Sequence, residues 1–142
     1  MGMNCLFVGL GGAAGAVCRY LLSLLPVKPP SGFPVVTLGI NVLGAFALGA
    51  LLALAGRDAN LDPRLMLFLK VGVCGGFTTF STFCGETEQL LAAGHTAAGV
   101  IYVLLSVLLG IGAVWAAQLL FCARLIFRRF FPYFLDFFTA ML

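Results

Sequence analysis

Charged residues are scarce in this chain of 142 residues: Asp, Glu, Lys and Arg together make up 9% of it, against about 25% in an ordinary soluble domain. Histidine occurs once, at position 95. The sequence contains neither a Ser/His/Asp grouping nor a cluster of metal-ligating side chains, which argues against an enzyme. The five cysteines are scattered through apolar segments without a Cys-x-x-Cys pair, so we predict no disulfide framework and no zinc site. The basic residues form no stripe of the kind that binds nucleic acid.

Apolar residues are abundant instead. They make up 62% of the chain, and the mean hydropathy is +1.13. A chain this short cannot bury so much apolar surface in a core of its own. We therefore predict a membrane protein whose apolar surface is covered by lipid.

Four segments reach the length of about 20 apolar residues that crosses a bilayer core. They lie at about 5–25, 33–55, 65–91 and 97–123. Proline, glycine and charged residues between them mark short connections. We predict an all-α membrane protein with one four-helix transmembrane domain over residues 1–123 and both termini on the same side. The arginines and aromatics of residues 124–142 are typical of a tail at the membrane interface.

The third segment contains a predicted helix break. Residues 74–84 read Cys-Gly-Gly-Phe-Thr-Thr-Phe-Ser-Thr-Phe-Cys. Each glycine costs about 1 kcal/mol relative to alanine in a helix, and the hydroxyls offer the backbone alternative partners. Broken backbone at membrane depth is tolerated only where it is buried in protein or lines a polar cavity. Transporters place ions at such breaks, so this segment is the predicted functional centre.

Several polar residues lie inside the apolar segments, where each one needs a reason: Arg19, Thr37, Asn41, Lys70, Tyr102 and Ser106. The two cations can snorkel to the interface, and Arg19 can alternatively attract an anion at a pore mouth. Asn41 either forms an interhelical hydrogen bond or, with Thr37 one turn earlier, belongs to a polar stripe. Tyr102 and Ser106 are four residues apart and share a helix face.

Phe80 and Phe83 are three residues apart on one helix face, and Glu86 continues that row. These rings either pack against lipid or core, or present their positive edges to an anion. In the first segment, Gly11 and Gly15 form a small-xxx-small pair that favours close helix packing. Gly9-Leu10-Gly11-Gly12-Ala13-Ala14 also matches a loose nucleotide-binding pattern. We prefer helix packing, because no strand precedes this stretch and no acidic residue follows at the required distance.

The sequence resembles the Fluc (CrcB) fluoride channel family over about residues 7–123. Four features carry the resemblance: Gly11-Gly12-x-x-Gly15-Ala-x-x-Arg19-Tyr20, Thr37-Leu-Gly-x-Asn41-x-x-Gly44, the run from Gly75 to Phe83, and the Tyr102/Ser106 face. The third feature is long and unusual enough to be specific by itself.

The resemblance implies an antiparallel, dual-topology homodimer in the inner (plasma) membrane, with two fluoride pathways and a third helix broken at the membrane midplane. It also implies a structural sodium ion (Na+) at the dimer centre, held by the backbone carbonyls of Gly75 and Thr78 from both chains. Phe80 and Phe83 would line the fluoride track, and Asn41 would donate to the anion. The remaining pathway residues are Thr37, Ser81, Thr82, Tyr102 and Ser106, with Arg19 and Glu86 near the pathway ends.

Two other functions fit a small four-helix membrane protein. A multidrug-type proton-coupled exporter needs a carboxylate deep in the membrane, but the first two segments contain no acid and Glu86 and Glu88 lie toward the end of the third. A non-transporting assembly protein would leave the helix break and the phenylalanine pair unexplained. One feature disagrees with dual topology: the arginines concentrate on the side shared by the termini, which predicts cytoplasmic termini in a single orientation.

Overall fold

The computed structural model describes residues 2–27, 29, 32–56 and 61–139, with side chains described as far as Phe121. Every regular element in this part of the chain is helical. In chain order they are α1 (Gly2–Ser23), α2 (Val35–Ala55), α3 (Pro63–Met66), a π-helical segment (Leu67–Cys74), α4 (Gly75–Phe77), α5 (Phe80–Ala92) and α6 (Thr96–Thr139). Within the predicted connections, Lys28, Pro30, Ser31 and the segment 57–60 lie outside the described residues.

Four helical stretches in the described part are long and apolar enough to cross a membrane. They are Gly2–Ser23, Val35–Ala55, Pro63–Ala92 and Thr96–Phe121. The four predicted spans are thereby confirmed in number and, to within a few residues, in position. We refer to Pro63–Ala92 as the third span. Helix α6 continues to Thr139, so the boundary at residue 123 and the interfacial position of the tail stay predictions.

Local sequence signals explain where the third span begins and ends. Asp62 caps α3 by accepting a hydrogen bond from the Arg64 N–H at 2.8 Å, and Pro63 occupies the first helical position, where its missing N–H costs nothing. At the other end, Gly94 follows α5 with a φ of +79°. Glycine adopts this left-handed conformation without a steric penalty, and α6 begins two residues later.

The third span is not one regular α-helix. Its residues Leu67–Cys74 are π-helical, which the sequence analysis did not predict and which is rare outside functional sites. After the short α4, Thr78 has φ −78° and ψ 156° and Thr79 has φ −145° and ψ 107°. These two extended residues, which we call the helix break, separate α4 from α5.

Helix α1 packs against the third span through glycines. A Cβ built on Gly72 would lie 2.7 Å from the Gly11 Cα, and one on Gly15 would overlap the Val73 carbonyl oxygen. A side chain on Gly76 would likewise overlap the carbonyl of Gly12. The prediction that Gly11 and Gly15 admit a neighbouring backbone is confirmed, and the neighbour is the segment that leads into the helix break.

Large apolar side chains cover the outside of the bundle. Leu108 and Trp115 on α6 are 65% and 71% exposed, whereas the buried core contains few large side chains, among them Ile40, Leu90 and Tyr102. So much exposed apolar surface is unusual for a soluble monomer and suits contact with lipid or another protein.

Candidate ion pathway

Asn41 on α2 holds the helix break. Its Oδ1 accepts from the Thr79 N–H at 2.8 Å, and its Nδ2 donates to the Thr79 carbonyl at 3.2 Å. The side chain therefore satisfies both backbone groups of a residue that has left the helical ladder. An amide nitrogen carries two N–H donors, so Asn41 keeps one donor for a further ligand.

The same break diverts the donors of two nearby carbonyls. In a continuous α-helix the Thr79 N–H would bond the Gly75 carbonyl, and the Thr82 N–H would bond that of Thr78. Here the Thr79 N–H goes to Asn41, and the Thr82 N–H donates to Thr79 Oγ1 at 3.3 Å. The carbonyls of Gly75 and Thr78, the two residues predicted to bind a cation, are therefore among those that the break deprives of a helical donor. Such oxygens suit a hard cation.

Arg19 contacts the backbone beside this pair. Its Nε donates to the carbonyl of Gly76 at 3.1 Å across two helices. A charged donor thus bonds a carbonyl that the break would otherwise strand, and its positive charge lies beside that oxygen. The structure therefore places Arg19 next to the break, and its position at a pathway end stays a prediction.

A cavity of about 260 Å³, which we call the Asn41 cavity, adjoins the break. Its lining consists of Asn41, Thr78, Thr79, Phe80, Phe83, Ser106 and Val107. The Oγ atom of Ser106 is buried and has no hydrogen-bond partner among the described residues. A buried hydroxyl without a partner is costly and calls for a water or ligand. The cavity therefore joins an unpaired hydroxyl, an amide donor and two phenylalanine rings.

The two rings are neighbours, with centroids 5.6 Å apart and planes inclined at 40°. Phe80 is 77% exposed, so its ring is open to a partner molecule. Phe83 also contacts Tyr102, at a centroid distance of 5.1 Å. The predicted shared face of Phe80 and Phe83 is therefore present, and it leads toward α6.

Glu86 is the centre of a second polar cluster one turn further along α5. Its Oε1 accepts from Thr37 Oγ1 and its Oε2 from the Tyr102 hydroxyl, both at 2.7 Å. Tyr102 is completely buried, and Thr37 is 8% exposed. The carboxylate is thus held by two hydroxyl donors, one on α2 and one on α6.

This cluster opens into a larger cavity of about 660 Å³, the Glu86 cavity. Besides Thr37 and Glu86, its lining includes Phe33, Gln89 and His95. His95, which was not among the predicted site residues, lies in this wall. Phe83 lines the Asn41 cavity, and the ring that it contacts, Tyr102, bonds Glu86 in the wall of the other cavity.

The remaining predicted residues are more peripheral in a single chain. Ser81 and Thr82 are exposed, and Thr82 Oγ1 accepts from Thr79 Oγ1 at 2.8 Å. Thr79 is the residue that sequence reasoning missed: it caps α5 and bonds Asn41. The sequence of a Thr-Thr pair does not indicate which of the two residues leaves the helix. Only the hydroxyl-rich run as a whole indicated that a residue in this segment does so.

Comparison with known proteins agrees with this architecture. The family model described as CrcB-like protein, Camphor Resistance (CrcB), matches residues 6–118. A protein of Shewanella pealeana is 44% identical over 128 residues, which are 89% of this chain and 98% of that protein. Proteins of Deinococcus radiodurans and Chlorobaculum tepidum are 47% and 41% identical over 117 residues, covering 92% and 93% of their lengths.

Each of these three relatives bears the name fluoride-specific ion channel FluC. The matches extend from α1 well into α6 and include both cavities. Its four apolar helices make the chain a multi-pass membrane protein. By these matches the chain belongs to the CrcB-like family of fluoride channels.

Proposed function

We propose that this chain forms a passive, fluoride-selective channel that exports cytoplasmic fluoride down its electrochemical gradient. The observation that carries the proposal is the Asn41 cavity, where the unpaired Ser106 hydroxyl and the spare Asn41 donor face the rings of Phe80 and Phe83. Relatives at 41–47% identity named as fluoride-specific channels support the same ion.

The chemistry of this cavity suits fluoride. Fluoride is small and strongly hydrated, so a pore must replace its water with donors that exchange readily. Hydroxyl and amide donors supply hydrogen bonds, and ring edges supply weak positive contacts. The cavity lining contains no Lys or Arg that would hold the anion too tightly for conduction.

The proposed direction of transport follows from acid–base chemistry. Efflux in this direction requires no ATP and no coupled ion. Hydrogen fluoride crosses membranes as a neutral molecule and ionises in the cytoplasm. An inside-negative potential of 100 mV is worth about 2.3 kcal/mol for each elementary charge that leaves. A passive pathway for the anion in the inner (plasma) membrane is therefore sufficient to expel it.

A structural sodium ion at the break is the second part of the proposal. The carbonyls of Gly75 and Thr78, whose helical donors are diverted to Asn41 and Thr79, would hold it together with the same pair from a second chain. Bound there, the cation would offset the charge of a passing anion. Complete replacement of sodium by a large organic cation should lower both thermal stability and flux, and unchanged values of both would reject the sodium site.

An antiparallel homodimer is the third part. Phe80, Ser81 and Thr82 are exposed in the single chain, and hydroxyls facing lipid are costly. A second copy would cover them. An inverted copy would bring the same two carbonyls to a shared site with one pathway on each side, whereas a parallel copy would leave a single central pore. Labelling of a single cysteine at position 28 in intact cells tests this. Antiparallel assembly requires about half of the chains to react from outside, and labelling from one side only would contradict it.

Fluoride efflux from proteoliposomes tests the function itself. We expect passive fluoride efflux that is fast when potassium and valinomycin balance the charge, with chloride efflux near the protein-free background. Equal fluxes of the two anions would refute selectivity. A strict requirement for a proton gradient would indicate a transporter instead of a channel.

A further inference from the structure

Four aromatic rings form a continuous row through this protein. The centroid distances are 5.6 Å from Phe80 to Phe83, 5.1 Å from Phe83 to Tyr102 and 5.5 Å from Tyr102 to Phe33. These spacings lie within the range of favourable ring pairs. The row starts at the Asn41 cavity and ends with Phe33 in the wall of the Glu86 cavity. Phe33 is its only member outside the residues assigned to the pathway above.

Phe33 contacts the residue that the Glu86 cluster depends on. Its ring meets that of Tyr102 edge to face, with an interplanar angle of 76°. Tyr102 is held at three points: by Phe83 on one side, by Phe33 on another, and by Glu86 Oε2 at its hydroxyl. A shift of this ring would move the hydroxyl away from Glu86, because the ring and the hydroxyl are one rigid unit.

The backbone fixes Phe33 although the residue lies before α2. Pro34 follows it, and a residue before proline is confined to extended conformations. The carbonyl of Phe33 accepts from the Val35 N–H at 2.9 Å, which joins this residue to the start of α2. Thr37 lies one turn into the same helix and donates to Glu86. One short segment therefore positions both Phe33 and Thr37 around the carboxylate.

The ring also lies where the pathway meets open space. The Glu86 cavity has a volume of about 660 Å³, and Phe33 lines it together with Glu86. Tyr102, immediately behind Phe33, is completely buried. Phe33 thus lines this cavity and contacts Tyr102, which does not line it.

We propose that Phe33 is a positioning residue for fluoride conduction: its ring holds Tyr102 so that the Tyr102 hydroxyl stays on Glu86 at the mouth of the pathway. This inference rests on the proposed fluoride channel. It assigns to Phe33 no contact with the anion. It requires an aromatic ring at position 33, because an aliphatic side chain fills the space without an edge-to-face contact.

The test compares fluoride efflux for Phe33→Leu, Phe33→Trp and the matched control Phe46→Leu, which changes a ring on α2 that lines neither cavity. Thermal unfolding of each purified protein is measured in parallel. We expect Phe33→Leu to lose roughly three- to tenfold of the fluoride flux, the factor that one edge-to-face pair supports. Its unfolding temperature should match that of Phe46→Leu. Phe33→Trp should conduct like the parent protein.

The other possible results separate a failure of the proposed function from a failure of the role proposed for Phe33. Parent protein without fluoride efflux would reject the proposed function. A conducting parent with unchanged flux in Phe33→Leu would reject the role of Phe33, and so would a loss of flux that tracks unfolding temperature in all variants. Should Phe33→Leu not assemble, Phe33→Met and Phe33→Trp provide the comparison, and equal fluxes in these two would overturn the proposal.

Discussion

Replacing Asn41 by alanine tests how the helix break is held. The change removes the two hydrogen bonds to Thr79, of 2.8 Å and 3.2 Å. Both lost partners are backbone groups outside the helical ladder, so no neighbouring turn can replace them. Asn41→Ala therefore strands a donor and an acceptor at the point where α5 begins.

The loss in the free energy of unfolding depends on whether water reaches the stranded donor and acceptor. An unsatisfied buried group costs about 1–3 kcal/mol, so two dry groups would cost about 2–6 kcal/mol. Interhelical hydrogen bonds in membrane proteins average only about 0.6 kcal/mol each, or about 1.2 kcal/mol for two. The Asn41 cavity, at about 260 Å³, has room for water beside Thr79. We therefore expect a loss of about 1–3 kcal/mol in the free energy of unfolding, a range that runs from the membrane-protein average into the lower part of the dry estimate.

Fluoride flux should fall as well as stability. Asn41→Ala also removes the amide donor that faces the cavity and loosens the start of α5, which carries Phe80. We expect a loss of at least about tenfold, the effect of about 1.4 kcal/mol on a barrier. Reversible unfolding in detergent and fluoride efflux from proteoliposomes measure the two effects on the same preparation.

Thr87→Ala provides the matched control. Thr87 Oγ1 donates to the Phe83 carbonyl at 2.8 Å within α5, where the helical ladder still satisfies that carbonyl after the change. Both variants lose a side chain-to-backbone bond, but only Asn41→Ala orphans backbone groups. Equal stability and equal flux in the two variants would refute the reasoning.

Two further predictions concern the rings and the glycine packing. Phe80→Ile and Phe83→Ile should each lower fluoride flux severely while the protein elutes as a folded dimer, because isoleucine keeps the volume and removes the ring edge; near-native flux in both would make the rings packing residues. Gly15→Val should destabilise the protein by about 1–3 kcal/mol or more through overpacking, whereas Gly9→Val, with open space at its Cβ position, should have little effect on the unfolding temperature. Equal unfolding temperatures for the two valine variants would contradict the close approach of α1 to the third span.

Much of the fold was accessible from the sequence because lipid imposes a strong pattern. A span needs about 20 apolar residues, and such runs are visible without knowledge of packing. The pair Gly11 and Gly15 was also interpretable, since few other reasons place glycines four residues apart in an apolar helix. The π-helical segment Leu67–Cys74 was not predicted, because an apolar run of this composition does not distinguish a π-helical from an α-helical backbone.

The site was predictable as a set of residues but not as a set of contacts. The sequence pointed to a break after Gly75 and Gly76 and to a polar role for Asn41. It could not show that Asn41 bonds Thr79, 38 residues away, or that Arg19 reaches Gly76, 57 residues away. Such pairings depend on which helices are neighbours, and a single sequence with four similar apolar segments leaves that open.

The glycine contact between α1 and the third span restricts how this protein can evolve. At an ordinary interface, an enlarged side chain is accommodated when its neighbour is replaced by a smaller one. Opposite Gly15 the obstructing atom is the Val73 carbonyl oxygen, and opposite Gly76 it is that of Gly12. Backbone atoms cannot be trimmed by substitution, so no second-site change can make room. A genetic selection for suppressors of Gly15→Val should therefore return changes at codon 15 itself. The glycines at this contact between α1 and the third span should not be exchangeable for larger residues by compensating substitutions.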